Sequence, residues 1–179
     1  MKQKGVFMHT FQPYPSEMLD INPFTKIGTE WMAVTAGDKA KANTMTASWG
    51  TIGVLWGKNI VTIYVRDSRY TKEFIDAKDT FSLTFFDVSD KENKLALKYF
   101  GAVSGRDEDK ISNAKMHVDY AADGTPYIDE GNLVLVCRKM SATKILPEQF
   151  IDASIDSDWY KSKDYHTMYV AEITQILAR

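Results

Sequence analysis

Cysteine and histidine are scarce in this sequence, which has one cysteine and three histidines among 179 residues. The single cysteine, Cys137, excludes an internal disulfide, and its apolar setting in LVLVCRKM predicts a buried, inert thiol. His9, His117 and His166 are far apart, and neither HExxH nor CxxC spacing occurs. We therefore predict no metal site. A GxSxG elbow is also missing, so any redox chemistry would need an organic cofactor.

An excess of charge and long apolar runs are missing as well. The net charge is −2 and charges of both signs are interspersed, which argues against nucleic acid or an anionic membrane as a partner. The first fifteen residues, MKQKGVFMHTFQPYP, lack the apolar core of a signal peptide, and no stretch is long enough to span a bilayer. We expect a cytoplasmic protein with no nucleic-acid or membrane partner.

The length and apolar content, 179 residues and 44% hydrophobic, suit one domain with a sizeable core. Residues 1–28 contain Pro13, Pro15 and Pro23, which predicts an irregular N-terminal arm. Residues 29–179 are predicted to form a single domain.

Short alternating segments predict six or seven strands, against two clear helices. An antiparallel sheet of this size must protect its edges, and closure into a small barrel does so. The glycines at 50, 53 and 57 are interpreted as a turn-rich connection, and residues 147–164 as a long loop with one helical turn.

The helices are predicted over 71–78 and in the stretch DKENKLALKYF. Ser89 and Glu92 have the spacing of a capping box at the start of the second helix. Leu95 and Tyr99 are expected to form its buried face, and Gly101 is expected to end it.

A row of hydroxyl side chains stands out in NTMTASWG, residues 43–50. Thr44, Thr46 and Ser48 occupy alternate positions, and alternate residues of a strand share one face. The hydroxyls could therefore face a flat ligand, or they could form the solvated face of an antiparallel strand. The other face carries Met45, Ala47 and Trp49.

An anion site is predicted after the next strand, IVTIYV. The pattern then becomes helical, and a helix N-terminus offers unpaired N–H groups that suit a phosphate. The alternative is two solvated arginines. The anion site would hold a phosphate, and the row of hydroxyls would face a flat ring. Together they suit a ligand with a phosphate tail and a flat ring, such as flavin mononucleotide (FMN). The residues gathered at this point are Arg66, Ser68, Arg69, Tyr70 and Thr71.

Four motifs in order resemble the flavin reductase-like family, in particular its flavoredoxin-like branch. They are NTMTASWG (43–50), VRDSRYTKEF (65–74), GAVSGRDEDK (101–110) and YHTMYVAEI (165–173). The resemblance covers most of the chain from Trp31 to Ile173. It implies a mainly β fold, an FMN-binding split β-barrel of antiparallel Greek-key type with a few peripheral helices, and a homodimer.

The resemblance also implies roles for individual residues. Arg66, Ser68, Arg69, Tyr70 and Thr71 would hold the FMN phosphate, and the loop with Ser104 and Arg106 would border the flavin. The family commonly has a Gly-Asp-His triplet before the last strand, where this chain has Asp164-Tyr165-His166, so His166 is the candidate catalytic residue. The hydroxyl strand, Thr44, Met45, Thr46, Ala47, Ser48 and Trp49, would face the ring and ribityl chain.

Three functions follow from these observations. The first is an FMN-dependent oxidoreductase that passes hydride from NADH or NADPH to FMN and on to flavin or another small acceptor. The second is an FMN-binding electron carrier that exchanges electrons with protein partners, which the altered triplet favours slightly. The third is a barrel that binds a different ligand.

Overall fold

A computed structural model of the chain describes residues 10–179, so the first nine residues of the predicted arm lie outside the described range. The helices are α1 (Pro23–Gly28), α2 (Tyr70–Ala77), α3 (Lys91–Ala102), α4 (Lys110–Asn113) and α5 (Ser154–Trp159). The strands are β1 (Gln12–Pro13), β2 (Met32–Gly37), β3 (Ala42–Ala47), β4 (Gly50–Leu55), β5 (Lys58–Arg66), β6 (Thr80–Phe85), β7 (Val118–Tyr120), β8 (Pro126–Ile128), β9 (Leu133–Lys144) and β10 (His166–Ala178).

Seven strands form one antiparallel sheet in the order β3-β2-β6-β9-β10-β5-β4, with the short β1 added to β10 and a separate β7-β8 hairpin. The two ends of this order, β3 and β4, are consecutive in the chain, and only residues 48 and 49 lie between them. The sheet must therefore curl until its two ends come close, although β3 and β4 do not pair with each other and both stay edge strands. This confirms the predicted mainly antiparallel barrel and places residues 48 and 49 at its seam.

The barrel core is made by the alternating apolar residues that the pattern predicts. Val61, Ile63 and Val65 of β5 are fully buried, as are Phe81 and Phe85 of β6. Cys137 is also buried among them, and burial raises the pKa of its thiol, which makes it unreactive.

The predicted turn-rich connection at the glycines is wrong, because residues 50–55 form strand β4. A Cβ at Gly50 would lie 2.7 Å from the Thr62 carbonyl oxygen, so glycine allows the two strands to approach. The turn itself is Trp56-Gly57, and both residues have positive φ, 52° and 68°. Two such residues suit a two-residue hairpin loop.

Helix α3 begins one residue later than its predicted capping box. Asp90 is the N-cap, and its carboxylate accepts the Glu92 N–H at 2.8 Å. The Ser89 hydroxyl instead donates to the carboxylate of Asp87. A carboxylate at the N-cap is favoured over the hydroxyl here because it also interacts with the positive end of the helix.

The predicted buried face of α3 is correct in part for Tyr99, which is partly buried against the neighbouring cluster, and wrong for Leu95. Leu95 is 64% exposed, and the helix continues through Gly101. The large side chain of Phe100 sets the rotation of the helix, because it packs with Leu97 and Ile128 in a cluster of its own. The apolar stripe of α3 is therefore the one that contains Phe100, not Leu95.

Residues 10–28 are more regular than the predicted arm. Pro23 occupies the first turn of α1, and the Asn22 side chain accepts the Phe24 N–H at 3.0 Å. Asn-Pro is a helix-start signal that the prediction did not use. None of the helices within residues 10–179 is long and apolar enough to cross a membrane.

Candidate functional site

The candidate site lies at the barrel seam, where β3 passes into β4. A cavity of about 190 Å³ opens there, and we call it the β3 cavity. All but one of its lining residues are predicted site residues. They are Met45, Thr46, Ala47, Ser48, Trp49, Arg66, Arg69 and His166, together with Tyr64 of β5.

A second cavity of about 100 Å³ adjoins the first, because Met45 and Arg69 line both. We call it the α2 cavity, since the N-terminus of α2 forms one wall. Its lining brings together three separate segments of the chain. They contribute Asn43 and Met45, then Arg69, Tyr70 and Thr71, then Ala102, Val103, Ser104, Gly105 and Lys110.

Arg69 stands between the two cavities and is fixed by backbone carbonyls. Its Nη1 donates to the Gly101 carbonyl at 2.8 Å, and its Nη2 lies 3.5 Å from the Thr46 carbonyl. Burial, with the nearby charge of Arg66, lowers the pKa of Arg69, yet a guanidinium stays protonated in proteins. Arg69 therefore supplies a positive charge that no carboxylate within residues 10–179 neutralises by an ion pair.

Lys110 is a site residue that the sequence reasoning missed. Its side chain is buried, and its Nζ donates to the carbonyls of Phe100 and Val103, each at 2.8 Å. An ammonium has three donors, so one remains for a ligand in the α2 cavity. Burial, with the charge of Arg69, lowers the pKa of Lys110 to about 8. Lys110 is the last residue of the motif GAVSGRDEDK, and its place in that motif is the sequence signal that could have identified it.

The N-terminus of α2 adds backbone donors to this cavity. The N-cap residue is Arg69, whose side chain makes no capping hydrogen bond, so the first-turn amides have no side-chain partner. Thr71 is buried, and its hydroxyl accepts from the Asn43 side-chain amide at 2.8 Å. This bond ties α2 to β3. The α2 cavity thus combines two cations with a helix N-terminus, which suits a phosphate.

Arg66 and Ser68, both predicted to hold phosphate, are instead held by the segment between β9 and β10, residues 145–165, which we call the strap. The Arg66 guanidinium donates to the carbonyls of Asp164 and Trp159, at 2.8 and 3.1 Å. The backbone N–H and hydroxyl of Ser68 both donate to the Asp164 carboxylate. Ser68 lines neither cavity, because Asp164 already occupies its donors.

Arg106 lies outside both cavities and fastens the loop that forms one wall of the α2 cavity. Its guanidinium donates to the Ser68 carbonyl at 3.2 Å, pairs with Glu73 and lies 4.8 Å from the centre of the Tyr70 ring. The Ser104 hydroxyl accepts the Arg106 N–H. Of the two predicted loop residues, Ser104 reaches a cavity and Arg106 supports it.

The predicted row of three hydroxyls is mostly used within the fold. The Thr44 side chain is fully buried and bonds to the Thr35 hydroxyl at 3.0 Å. The Thr46 hydroxyl donates to the Leu97 carbonyl of α3. Because Thr44 is engaged by β2 and Thr46 by α3, only Ser48 of the three keeps a free hydroxyl for the β3 cavity. Thr44 is therefore a structural residue, and its assignment to the flavin ring is wrong.

His166 lines the β3 cavity as a neutral, oriented imidazole. Its Nδ1 lies 2.7 Å from the Tyr160 hydroxyl, and its ring centre is 5.0 Å from that of Trp49. Burial, reinforced by Arg66, lowers the pKa of His166 to about 4. The Tyr160 bond occupies Nδ1, so Nε2 is the nitrogen that could interact with a ligand. Tyr160, in the strap, was missed by the sequence reasoning.

Asp67, a possible competitor of a bound phosphate, is directed away from both cavities. Its carboxylate pairs with Lys144 and lies 4.0 Å from Lys72. The repulsion that a carboxylate beside a phosphate would cause is therefore avoided.

Comparisons with known proteins agree with this architecture. Residues 24–179 match the family model described as "Flavin reductase like domain". A search of curated proteins gave no match.

Solved structures with similar folds include flavoredoxins and an oxidoreductase. Flavoredoxin from Methanosarcina acetivorans is 24% identical, with a TM-score of 0.64 over 92% of this chain and 76% of that one. Flavoredoxin of Desulfovibrio vulgaris (Miyazaki F) is 18% identical, with a TM-score of 0.64 over 84% and 70%. An NADH:FAD oxidoreductase from Streptomyces globisporus C-1027 is 18% identical, with a TM-score of 0.62 over 84% and 75%. At these identities the likeness shows a shared split-barrel fold.

Proposed function

The chain belongs to the flavin reductase-like family, and we propose that it is an FMN-dependent oxidoreductase that takes hydride from NADH or NADPH and passes electrons to flavin or another small acceptor. Family membership supports a flavin-binding redox role. The observation that carries the proposal is the adjoining pair of cavities, one at the barrel seam and one with two cations at a helix N-terminus.

The residues present fit FMN. Arg69 and Lys110, with the amides of α2 and the Ser104 hydroxyl, would hold the phosphate, because charged donors bind phosphate oxygens strongly. Ser48 and the backbone of residues 45–49 would face the ring at the barrel seam. Arg66 would lie beside the ring and not at the phosphate, since the strap holds its guanidinium.

The bound flavin would supply the hydride and electron chemistry, which no side chain here can perform. The chain would bind, orient and shield it. Neutral His166 would offer a hydrogen bond through Nε2 without adding charge, because its pKa is about 4. Trp49, 37% exposed and in edge contact with Trp159 at 5.2 Å, would limit access of water to one side of the cavity.

The second candidate is an FMN-binding electron carrier. The observation that favours it is Asp164, whose carboxylate accepts from Ser68, whose backbone carbonyl accepts from Arg66, and which does not line the β3 cavity. The altered triplet then offers His166 alone to a nicotinamide. A carrier would be reduced by a protein partner, whereas an NAD(P)H oxidoreductase would be reduced by the nucleotide directly.

The second copy of the chain is proposed as a partner for the β4-β5 hairpin. Val54 is 74% exposed and Trp56 62%, and β4 is an edge strand. Apolar side chains on an exposed edge are typical of an interface. Light scattering should give a dimer for the wild type and a monomer for Trp56→Ser. A monomeric wild type would exclude the homodimer.

The cytoplasmic location stays a prediction.

An anaerobic titration tests the main proposal. FMN-loaded protein is titrated with NADH and then NADPH, and the visible flavin absorption is followed. Prompt bleaching that air reverses supports the oxidoreductase and identifies its donor. Normal reduction by dithionite without bleaching by either nucleotide supports the carrier. Protein that cannot be loaded with FMN contradicts both.

A further inference from the structure

Tyr160 is the residue through which the strap reaches His166. It directly follows α5, and its backbone N–H donates to the Asp156 carbonyl at 3.0 Å. Its ring stacks with the rings of Phe150 and Tyr165, at centre distances of 5.6 and 4.8 Å, and only 4% of the residue is exposed. The phenol is therefore held in one position against the imidazole.

The imidazole of His166 carries a single ring proton. Burial, followed by the charge of Arg66, lowers the pKa of His166 to about 4. Lys144 and Arg69 act in the same direction, and Asp164 opposes them. The ring is therefore neutral at pH 7, with its proton on either Nδ1 or Nε2. The two forms would present opposite hydrogen-bonding chemistry to the β3 cavity.

The hydrogen bond at Nδ1 distinguishes these two forms. The Tyr160 hydroxyl lies 2.7 Å from Nδ1 of His166, and no other residue among 10–179 accepts from that hydroxyl. Burial raises the pKa of Tyr160, so the phenol keeps its proton. If Nδ1 were the donor, this buried O–H would be left without an acceptor, which is costly. The Tyr160 hydroxyl therefore donates to Nδ1, and the ring proton of His166 lies on Nε2.

The Nε2–H group adds a donor to a cavity that is already rich in donors. No residue among 10–179 accepts from Nε2 of His166. Arg66 and Arg69 are the charged side chains that line the β3 cavity, and no carboxylate of the described range lines it. An arginine has donors and no acceptor. The ligand atom that suits these groups is an oxygen without a proton, such as a carbonyl oxygen.

We propose that Tyr160 is a positioning residue: it holds His166 as the Nε2–H tautomer, so that the β3 cavity recognises the carbonyl oxygen of its ligand. The inference deepens the proposed function and rests on it for the ligand, whereas the tautomer belongs to the chain itself. Two ligands could supply the oxygen, the flavin ring through its carbonyl groups and the nicotinamide through its carboxamide.

Nuclear magnetic resonance of flavin-free protein with ¹⁵N-labelled histidine measures the tautomer directly. Protonated and unprotonated nitrogens of a neutral imidazole differ widely in ¹⁵N shift. The signals of His166 are those that disappear in His166→Gln. In the wild type at pH 7, Nδ1 should be unprotonated and Nε2 protonated. In Tyr160→Phe, which lacks only the hydroxyl, both tautomers should be populated.

The pH titration of the same signals separates positioning from packing. Tyr160→Phe should raise the pKa of His166 by about one pH unit, because the bond that stabilises the neutral ring is lost. The charges of Arg66, Arg69, Lys144 and Asp164 stay the same in this variant. Tyr165→Phe is the matched control.

This control removes a hydroxyl from the neighbouring strap ring, which bonds to Asp156 at 2.6 Å and not to His166. Tyr165→Phe should therefore keep the wild-type tautomer and the wild-type pKa of His166.

Two further arms identify the source of the oxygen. If it belongs to the flavin, FMN loading should slow the exchange of the Nε2 proton with water, and Tyr160→Phe should weaken FMN binding about fivefold. If it belongs to the nicotinamide, exchange should slow only when NAD⁺ is added to FMN-loaded protein, and Tyr160→Phe should weaken NAD⁺ binding by a similar factor.

A wild-type His166 protonated on Nδ1 would overturn the inference, and this result needs no variant that must fold. Equal tautomers and equal pKa values in Tyr160→Phe and Tyr165→Phe would also contradict it. If neither ligand slows exchange of the Nε2 proton, the assignment of the carbonyl oxygen is wrong. Protein that binds no flavin would remove the proposed function, while the tautomer of the flavin-free chain would still stand.

Discussion

The two ends of the candidate site treat an anion in opposite ways. At the strap end, the donors of Ser68 already bind the Asp164 carboxylate. At the α2 end, Arg69 and Lys110 bind only neutral carbonyls. A phosphate at the strap end would have to displace a carboxylate, whereas at the α2 end it would meet two cations that form no ion pair within residues 10–179. Cations near a helix start are therefore not equivalent, and their partners decide which can bind a ligand.

The largest difference between the two ends should appear in FMN affinity when Arg69 and Arg66 are each replaced by alanine. Arg69→Ala should weaken FMN binding by about 2 to 3 kcal/mol, because a charged hydrogen bond to phosphate is lost. Arg66→Ala should weaken it by less than about 1 kcal/mol. Flavin fluorescence quenching gives both affinities, and circular dichroism verifies folding. Equal losses for the two variants would mean that the ends do not differ.

The acid side of the stability profile should report on the strap end. The pKa of His166 is lowered from 6.5 to about 4, so between these values the unfolded chain binds more protons than the folded chain. The free energy of unfolding therefore falls as pH drops through this window, by about 2 kcal/mol at pH 5 from this residue. Urea titrations of wild type and His166→Gln measure it. A His166→Gln profile as steep as that of the wild type would contradict the assignment.

The alkaline side should report on the α2 end. The pKa of Lys110 is lowered to about 8, and a bound phosphate would favour its protonated form. Above pH 8 binding must take up a proton, so FMN affinity should fall about fivefold between pH 8 and pH 9. Lys110→Met should bind FMN more weakly at pH 7 and lose this dependence. A variant that keeps the slope would place the titrating group elsewhere.

The smallest effect on FMN binding is expected from Asp164→Asn. An amide accepts hydrogen bonds from Ser68 less strongly than a carboxylate does, so the strap should open more often. Tryptic cleavage at the exposed Lys161 and Lys163 should become about fivefold faster, since cleavage follows the population of the open form. FMN affinity should be unchanged. A marked gain in FMN affinity would show that the strap end holds the phosphate after all, because a phosphate there would no longer have to displace a carboxylate.

The sequence predicted most of the residues that line the site, but it did not predict which of them are available to bind a ligand. Alternation predicted β3 and β5, and a helix-start pattern predicted α2, because these signals are local. The family resemblance predicted that the loop at Ser104 and the side chain of His166 belong to the same site. Neither could show that Asp164 would reach Ser68, since the two are 96 positions apart and the strap that contains Asp164 has no regular apolar pattern.

The sequence by itself determined most of the strands, among them β3, β5 and β6, their apolar faces and most of the chemical groups near the barrel seam, because periodicity and helix-start residues act over a few positions. Only the tertiary structure decided which groups remain available. Pairing with β2 engages the buried Thr44, and packing of α3 over β3 engages Thr46. The same helix places its carbonyls around Arg69 and Lys110. Hydrogen bonds between distant segments satisfy some polar groups and leave others for a ligand, and no local pattern contains that information.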